Sequence, residues 1–393
     1  MTTRALNPVF AALDTTVFAV MSALAEKHGA VNLGQGFPDT DGPREILEEA
    51  ARRLTAGPNQ YAAMPGVPEL RQAVAAHDQR FYGLDYDWKS EVIVTSGATE
   101  AIADCLMALL SPGDEVVMFA PFYDCYLPMA RQAGAVVRPI SLTPPDWRLT
   151  RAALEAVFSD RTKLVLMNTP MNPTGKVFSR RELEWIADAV KSHDAYAVCD
   201  EVYEHITFDG RHHIALATLP GMRERTLRIG SAGKTFSLTG WKVGYVSGPA
   251  RLIAAVERAH QFVTFATNGA LQHAVAAGLA LPDAYFATLA AEHQAKRDRL
   301  RAALDRVGLA TLPCGGTYFI ASDISGLRFT GSDYDFCRYL TAKVGVAAIP
   351  LSVFYHPDGT ATPRHLIRFC FSKRDPVLAE AEHRLTANLE ASG

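Results

Sequence analysis

Glu91–Ser96 (EVIVTS), Glu115–Ala120 (EVVMFA), Lys163–Asn168 (KLVLMN) and Ala195–Asp200 (AYAVCD) are four short apolar runs rich in β-branched residues. Each is too short for a helix and apolar on both faces, which predicts strands covered on both sides. Stretches of helical length separate them: Ala98–Leu110, Phe122–Gln132, Arg151–Phe158, and one opening at Ser179, where Ser179-Arg-Arg-Glu182 has the form of a capping box. Two further runs, Thr226–Gly230 and Val243–Ser247, continue the pattern. Strands that alternate with helices in this way build an α/β fold around a largely parallel sheet.

Beyond this block the texture changes. A charged helix is expected near Ala290–Val307, then strand-like segments around Gly315–Ser322 and His365–Phe371. With 393 residues and one domain per ~150 residues as a guide, the chain divides into a large domain, residues 46–285, and a smaller α/β domain, residues 286–393. Residues 1–45 form an N-terminal arm that joins the smaller domain. The chain is 48% hydrophobic and 21% charged, enough apolar material for a sizeable core. A net charge of −3 with both signs interspersed gives no field to gather nucleic acid or an anionic membrane, so small molecules are the expected partners. The six cysteines are scattered without a CxxC pair, which suits a reducing cytoplasm rather than a disulfide framework or zinc site. His212-His213 has no third ligand at metal-like spacing, and no metal is expected. No secretory leader is expected, and no apolar run reaches ~18 residues.

The residues suited to chemistry fall at strand ends, where an open α/β sheet collects its ligands. Lys234 follows the run Thr226–Gly230 in Ser231-Ala-Gly-Lys-Thr235, beside small residues. Burial disfavours an ammonium, and a neutral amine is what forms a Schiff base. Gly233-Lys234-Thr235 is not the end of a P-loop, because the glycine required five positions before Gly233 is Arg228. A surface turn remains the alternative for this segment alone. Asp200 ends an apolar strand, and a buried carboxylate needs a cationic partner. A pyridinium nitrogen fits: an ion pair at ~4 Å with dielectric ~20 is worth about 4 kcal/mol, about three pKa units, enough to keep the ring protonated as an electron sink. Standing alone, Asp200 equally suits a helix N-cap. Tyr203 could reach a ring hydroxyl with its phenol, or fill the core. Asn172, in the turn Asn168-Thr-Pro-Met-Asn-Pro-Thr-Gly175, points an amide inward or simply shapes the turn. Gly97 joins strand to helix, where the first free N–H groups can hold a phosphate, and Ser231 and Lys242 add a hydroxyl and a charge. Tyr123 is placed to stack on a ring. Arg368, in His365-Leu-Ile-Arg-Phe-Cys-Phe371, suits a two-point grip on a carboxylate, pointing opposite to its apolar neighbours.

Together and in this order, these residues resemble the fold-type I pyridoxal 5'-phosphate (PLP) aminotransferases of class I/II over nearly the whole chain. Asn32-Leu-Gly-Gln-Gly-Phe-Pro-Asp39, Asn59-Gln-Tyr61, Pro121-Phe-Tyr-Asp-Cys-Tyr126 and Thr239-Gly-Trp-Lys-Val-Gly244 look like the branch of kynurenine–oxoglutarate/glutamine transaminase K and bacterial methionine aminotransferase. The resemblance implies Lys234 as Schiff-base lysine and proton shuttle, Asp200 on the ring nitrogen, and Asn172 with Tyr203 on the ring oxygen. It places Gly97, Ala98, Thr99, Ser231 and Lys242 at the phosphate, joined by Tyr61 of the partner subunit in a homodimer with shared active sites, and Tyr123 against the ring. Arg368 and the Gly36 backbone would take the substrate carboxylate, with Phe37 nearby. The implied reaction is ping-pong transfer of an amino group from an aromatic, methionine, glutamine or kynurenine-like L-amino acid to a 2-oxo acid. Two departures bear on substrate: Val17-Phe18 stands where animal kynurenine-type members have tryptophan, and Phe265-Ala-Thr-Asn268 where they have Phe-His-x-Pro. The remaining pocket candidates Phe37, Tyr61, Tyr123 and Phe354 favour a large apolar side chain. Cysteine-conjugate β-lyase activity and N-succinyldiaminopimelate transamination are the enzymatic rivals. A non-catalytic PLP-binding regulator would bring a DNA-binding segment, and the chain has no basic extension for one.

Overall fold

The apolar runs become the strands of one sheet. In the computed structural model, which describes residues 4–357 and 362–389, the strands are β1 (Val92–Thr95), β2 (Glu115–Ala120), β3 (Val136–Ser141), β4 (Thr162–Asn168), β5 (Tyr196–Asp200), β6 (Thr226–Ser231) and β7 (Gly244–Ser247). They form a seven-stranded sheet in the order β1-β7-β6-β5-β4-β2-β3. The pairs from β3 to β6 are parallel, while β7 runs antiparallel to both β6 and β1. β1, β2, β6 and β7 are buried at every residue, as strands covered by helices on both faces must be. The Ser179 capping box forms, with Glu182 reaching back to the Ser179 N–H.

Three readings need correction. Residues 122–125 are not helical; the helix begins at Tyr126. The Phe122 N–H donates instead to the Phe354 carbonyl at 2.8 Å, which holds this segment as a loop against a distant part of the chain. β3 was not foreseen, because Pro139 lacks a ladder N–H, yet an edge strand tolerates that. The charged helix near residue 290 is longer than expected, Asp283–Arg306.

A second sheet holds β8 (Ala310–Thr311), β9 (Phe319–Asp323), β10 (Ile349–Pro350) and β11 (Leu366–Cys370), antiparallel in the order β10-β11-β9-β8. Val31–Asn32 pairs in parallel with Val346–Ala347, tying the N-terminal segment to the C-terminal one. Among the described residues no single helix is long and apolar enough to cross a membrane; the pair Gly269–Leu279 and Asp283–Arg306 reaches that length only across a 90° bend.

The sheet also buries a polar network. Arg228, in the middle of β6, donates from Nε to Glu201 (2.7 Å) and from Nη2 to Glu204 (2.9 Å), and its Nη1 pairs with Asp78. Burial alone would neutralise such carboxylates. Arg228 reverses the balance at Asp78 and, with His213, at Glu201, while at Glu204 the neighbouring His77 and His205 rings act first and Arg228 after them, so all three sit below the usual range.

Candidate active site

Parallel strands expose their carboxyl ends on one edge, and register decides what meets there. Asn168, ending β4, lies beside Asp200, ending β5, and Ser231 ends β6. A cavity of about 360 Å³ opens over this edge. It is lined by Lys234, Asp200, Tyr203, Asn172, Tyr123, Ser231 and Lys242, by Gly97, Ala98 and Thr99, and by Gly36, Phe37 and Arg368. Of the residues named from sequence, two stay outside the lining: Tyr61 is 85% exposed and packs edge-on to Phe265, and the pocket candidate Phe354 is buried behind the lining, against Arg368.

At one end, Gly97 turns from β1 into the helix Gly97–Leu109 with φ +78°, a left-handed conformation that favours glycine. Gly244 of β7 allows the turn to come close, since a Cβ there would stand 2.6 Å from the Gly97 carbonyl carbon. The first helical N–H groups have no intrahelical partner, and the Lys242 ammonium lies against Gly97, 3.3 Å from where its Cβ would be. The combination suits an anion.

In the middle, Asp200 is buried and has no cationic side chain within ion-pair distance among the described residues. Tyr126 donates its hydroxyl to Asp200 Oδ2 at 2.5 Å, and the Val202 N–H approaches Oδ1 at 3.4 Å. Burial outweighs these bonds and pushes the Asp200 carboxyl up. A ligand cation at this point would reverse that balance. Lys234 sits on the short helix Ala232–Thr235. Its expected burial is only partial: Nζ reaches into the cavity, 5.8 Å from the ring centroids of both Tyr203 and Tyr318.

At the other end, Arg368 is buried on a strand that is buried throughout, so the expected two-faced alternation of β11 is absent. Its guanidinium lies over the rings of Phe319 (4.0 Å), Phe18 and Phe354 (5.3 Å each). Nη1 donates to Asn172 Oδ1 at 2.8 Å and Nη2 to the Gly34 carbonyl at 3.0 Å, while Nε has no partner. A buried cation that touches only neutral acceptors fits an incoming carboxylate.

Sequence reasoning missed four contributors. Tyr126 is the first residue of a helix and binds Asp200 across 74 residues of chain. Asn168 donates to the Asp200 carbonyl (2.8 Å) and accepts from the Asn172 N–H (2.7 Å), which fixes the turn carrying Asn172. Tyr318 packs edge-on to Tyr203 at 5.1 Å and donates to the Gly36 carbonyl at 3.1 Å. Phe18, part of the Val17-Phe18 departure, lines the cavity beneath Arg368. Asn168 had a sequence signal, its place at a strand end; the others became visible only through tertiary pairing.

From end to end the cavity offers an anion cradle, an amine, a buried carboxylate lacking a cation, and an arginine lacking an anion. This donor set matches a flat, phosphorylated, cationic heterocycle bound next to a substrate carboxylate. Residues 28–385 match the family described as aminotransferase class I and II. The chain is 45% identical over 398 residues to a probable N-succinyldiaminopimelate aminotransferase of Mycobacterium tuberculosis, covering 99% of both chains. It is 43% identical over 373 residues to a methionine aminotransferase of Escherichia coli (95% of this chain, 96% of that one). To mouse kynurenine–oxoglutarate transaminase 3 it is 40% identical over 398 residues, covering 94% of this chain and 87% of the relative. The solved structure of the M. tuberculosis N-succinyldiaminopimelate aminotransferase superposes with a TM-score of 0.94, covering 97% of this chain and 99% of that one at 45% identity. That of the E. coli protein with methionine aminotransferase function gives 0.93, covering 98% and 99% at 42% identity.

Proposed function

The chain belongs to the class I and II aminotransferases of fold type I, and we propose that it holds PLP in this cavity and prefers donors with a large apolar, sulfur-containing or aromatic side chain. One observation carries the reading: half-buried Lys234, cation-free Asp200 and anion-free Arg368 share one cavity. Bound there, PLP supplies an electron sink for a carbanion at the substrate α-carbon. Gly97, Ala98, Thr99, Ser231 and Lys242 hold its phosphate, Asp200 keeps its ring nitrogen protonated, Asn172 and Tyr203 hold the ring oxygen, and Tyr123 covers one face. Lys234 would hold it covalently, and its amine is placed to carry the substrate α-proton as general acid and base. Arg368 and the Gly36 backbone orient the donor carboxylate.

The side-chain preference follows from Phe18, Phe37 and Tyr123 in the lining. A donor with a distal carboxylate, as in the name of the M. tuberculosis relative, needs a further cation. The lining contains Lys234, Lys242 and Arg368, each already engaged, and the nearby Lys373 donates to the Phe37 carbonyl at 2.8 Å. We further propose a homodimer, supported by the exposed cluster of Tyr61, Phe262, Val263 and Phe265, in which Tyr61 completes the partner's phosphate site. The divisions at residues 45 and 285 are proposed as domain limits, supported by the separate second sheet. The free cysteines support a reducing cytoplasm.

Lys234→Ala should abolish turnover and the visible absorbance of bound cofactor; multiple turnover by that variant would sink the assignment. A panel of methionine, phenylalanine, kynurenine, glutamine and N-succinyldiaminopimelate against pyruvate, 2-oxoglutarate and phenylpyruvate tests the preference. A kcat/KM for N-succinyldiaminopimelate above that for the apolar donors overturns it.

A further inference from the structure

The turn after β5 faces two ways. Tyr203 lines the cavity, while Glu204 and His205 meet the helix Pro68–Tyr82, where His77 and Asp78 are buried. The Nε2 atoms of His77 and His205 lie 2.7 Å apart, though the residues are 128 positions distant in sequence. Glu204 Oε2 accepts from Arg228 Nη2 (2.9 Å) and the Tyr82 hydroxyl (2.5 Å), and its Oε1 is turned to the imidazoles, 4.0 Å from each Nε2. These three donor atoms lie within 4.8 Å of one another.

We propose that His77, His205 and Glu204 form a site for a borderline divalent cation of the zinc class, separate from the cavity that binds substrate. The donor set is right for it: imidazole nitrogens with one carboxylate oxygen, leaving a fourth position for water. Zn–N and Zn–O bonds of ~2.0–2.1 Å in a tetrahedron put donors ~3.3 Å apart. The 2.7 Å and 4.0 Å separations bracket that value, so side-chain shifts of under about 1 Å assemble the site.

Charge favours it. Asp78, Glu201 and Glu204 converge on the single guanidinium of Arg228, with the His213 imidazole 3.1 Å from Glu201, so three buried carboxylates share one permanent cation. A divalent ion offsets that excess. His77 Nδ1 is buried without a hydrogen-bond partner, and Asp78 Oδ1, 3.8 Å from it, would have to close by about 1 Å to serve as an outer-shell acceptor. Phe81 and Phe286 wall the pair, their centroids 4.7 Å and 4.4 Å from the His205 ring. The His205 side chain keeps 7% exposure. An ion here would clip the helix Pro68–Tyr82 to the turn that follows Asp200.

The test uses the full-length, PLP-loaded enzyme after chelator treatment. Zn²⁺ titrated by calorimetry should bind at one ion per chain and raise the unfolding midpoint by mass action. Co²⁺ in its place should give the intense visible bands of four-coordinate geometry. His205→Ala and Glu204→Gln should each weaken Zn²⁺ binding by about 100-fold or more. Absence of saturable binding, or equal affinity in wild type and His205→Ala, overturns the proposal. Where a variant fails to fold, anomalous scattering from Co²⁺ in wild-type crystals decides: an ion between His77 and His205 supports the site, and an ion elsewhere overturns it.

Discussion

Arg228 and Arg368 are both buried arginines on strands, and their surroundings are opposite. Arg228 meets three carboxylates and lies 4.3 Å over the Tyr82 ring. Arg368 meets an amide oxygen, a carbonyl and three aromatic rings, with Nε unpartnered. Burial pulls on both pKa values alike. The carboxylates hold the Arg228 guanidinium well above the usual range, whereas burial prevails at Arg368 and lowers it. A buried charge that is fully paired belongs to the structure, and one held open beside a cavity is kept for a ligand.

The contrast breaks most visibly at Arg228. Arg228→Gln leaves Asp78, Glu201 and Glu204 buried without their cation, and stability should fall by about 3–5 kcal/mol in denaturant titration. The KM for amino-acid donors, measured on the folded enzyme, should stay within about threefold. Arg368→Gln should do the reverse: kcat/KM for amino-acid donors falls by about 10²–10³-fold, the cost of losing one partner of a desolvated charge pair. Its stability should hold, because the native enzyme has no carboxylate there to orphan. If Arg368→Gln unfolds the protein and Arg228→Gln spares it while weakening substrate, the two roles are exchanged.

How far sequence could foresee these roles depends on the range of the contacts. Lys234, Asp200, Asn172 and Gly97 were legible because each directly follows or ends an apolar strand, and strand ends share one edge. Arg368 was legible as a cation among apolar residues, but the rings that hold it come from residues 18, 319 and 354. The strand β3 hid behind Pro139, and the start of the helix at Tyr126 depended on a hydrogen bond from Phe122 to Phe354. Arg228 was noticed only as the residue that spoils a P-loop, because its partners lie at 78, 201 and 204. His77 and His205 were invisible for the same reason.

Asp200 offers a sharper version of the comparison, being the open carboxylate of the site. Tyr126→Phe removes its one strong hydrogen bond while leaving the ring in place. A hydrogen bond to a charged group is worth about 1.5–3 kcal/mol, so kcat should fall by about 10- to 100-fold with KM changed by less than about threefold. A change confined to KM would show that Tyr126 acts on substrate binding instead.

The smallest expected effect concerns a third buried cation, His260, which lies behind the Gly97 end of the cavity. Its Nδ1 is 2.8 Å from Glu100 Oε1 and 3.6 Å from Asp104 Oδ2, and its Nε2 is 3.1 Å from the Met64 carbonyl. Burial would lower the imidazole pKa, but the neighbouring Asp104 and Glu100 carboxylates outweigh it and raise it from 6.5 to about 9. A folded-state pKa above the unfolded one stabilises the protein fully below pH 6.5, and that stability is lost as pH rises through about 9. The unfolding midpoint of the wild type should therefore exceed that of His260→Gln most at pH 6, with the gap narrowing steadily toward pH 9.5. Glu100 also accepts from the Ser96 N–H at the start of the Gly97 turn. A gap that stays constant from pH 6 to 9.5 would show that His260 is neutral in the fold, leaving Arg228 the closed charge against which Arg368 is judged.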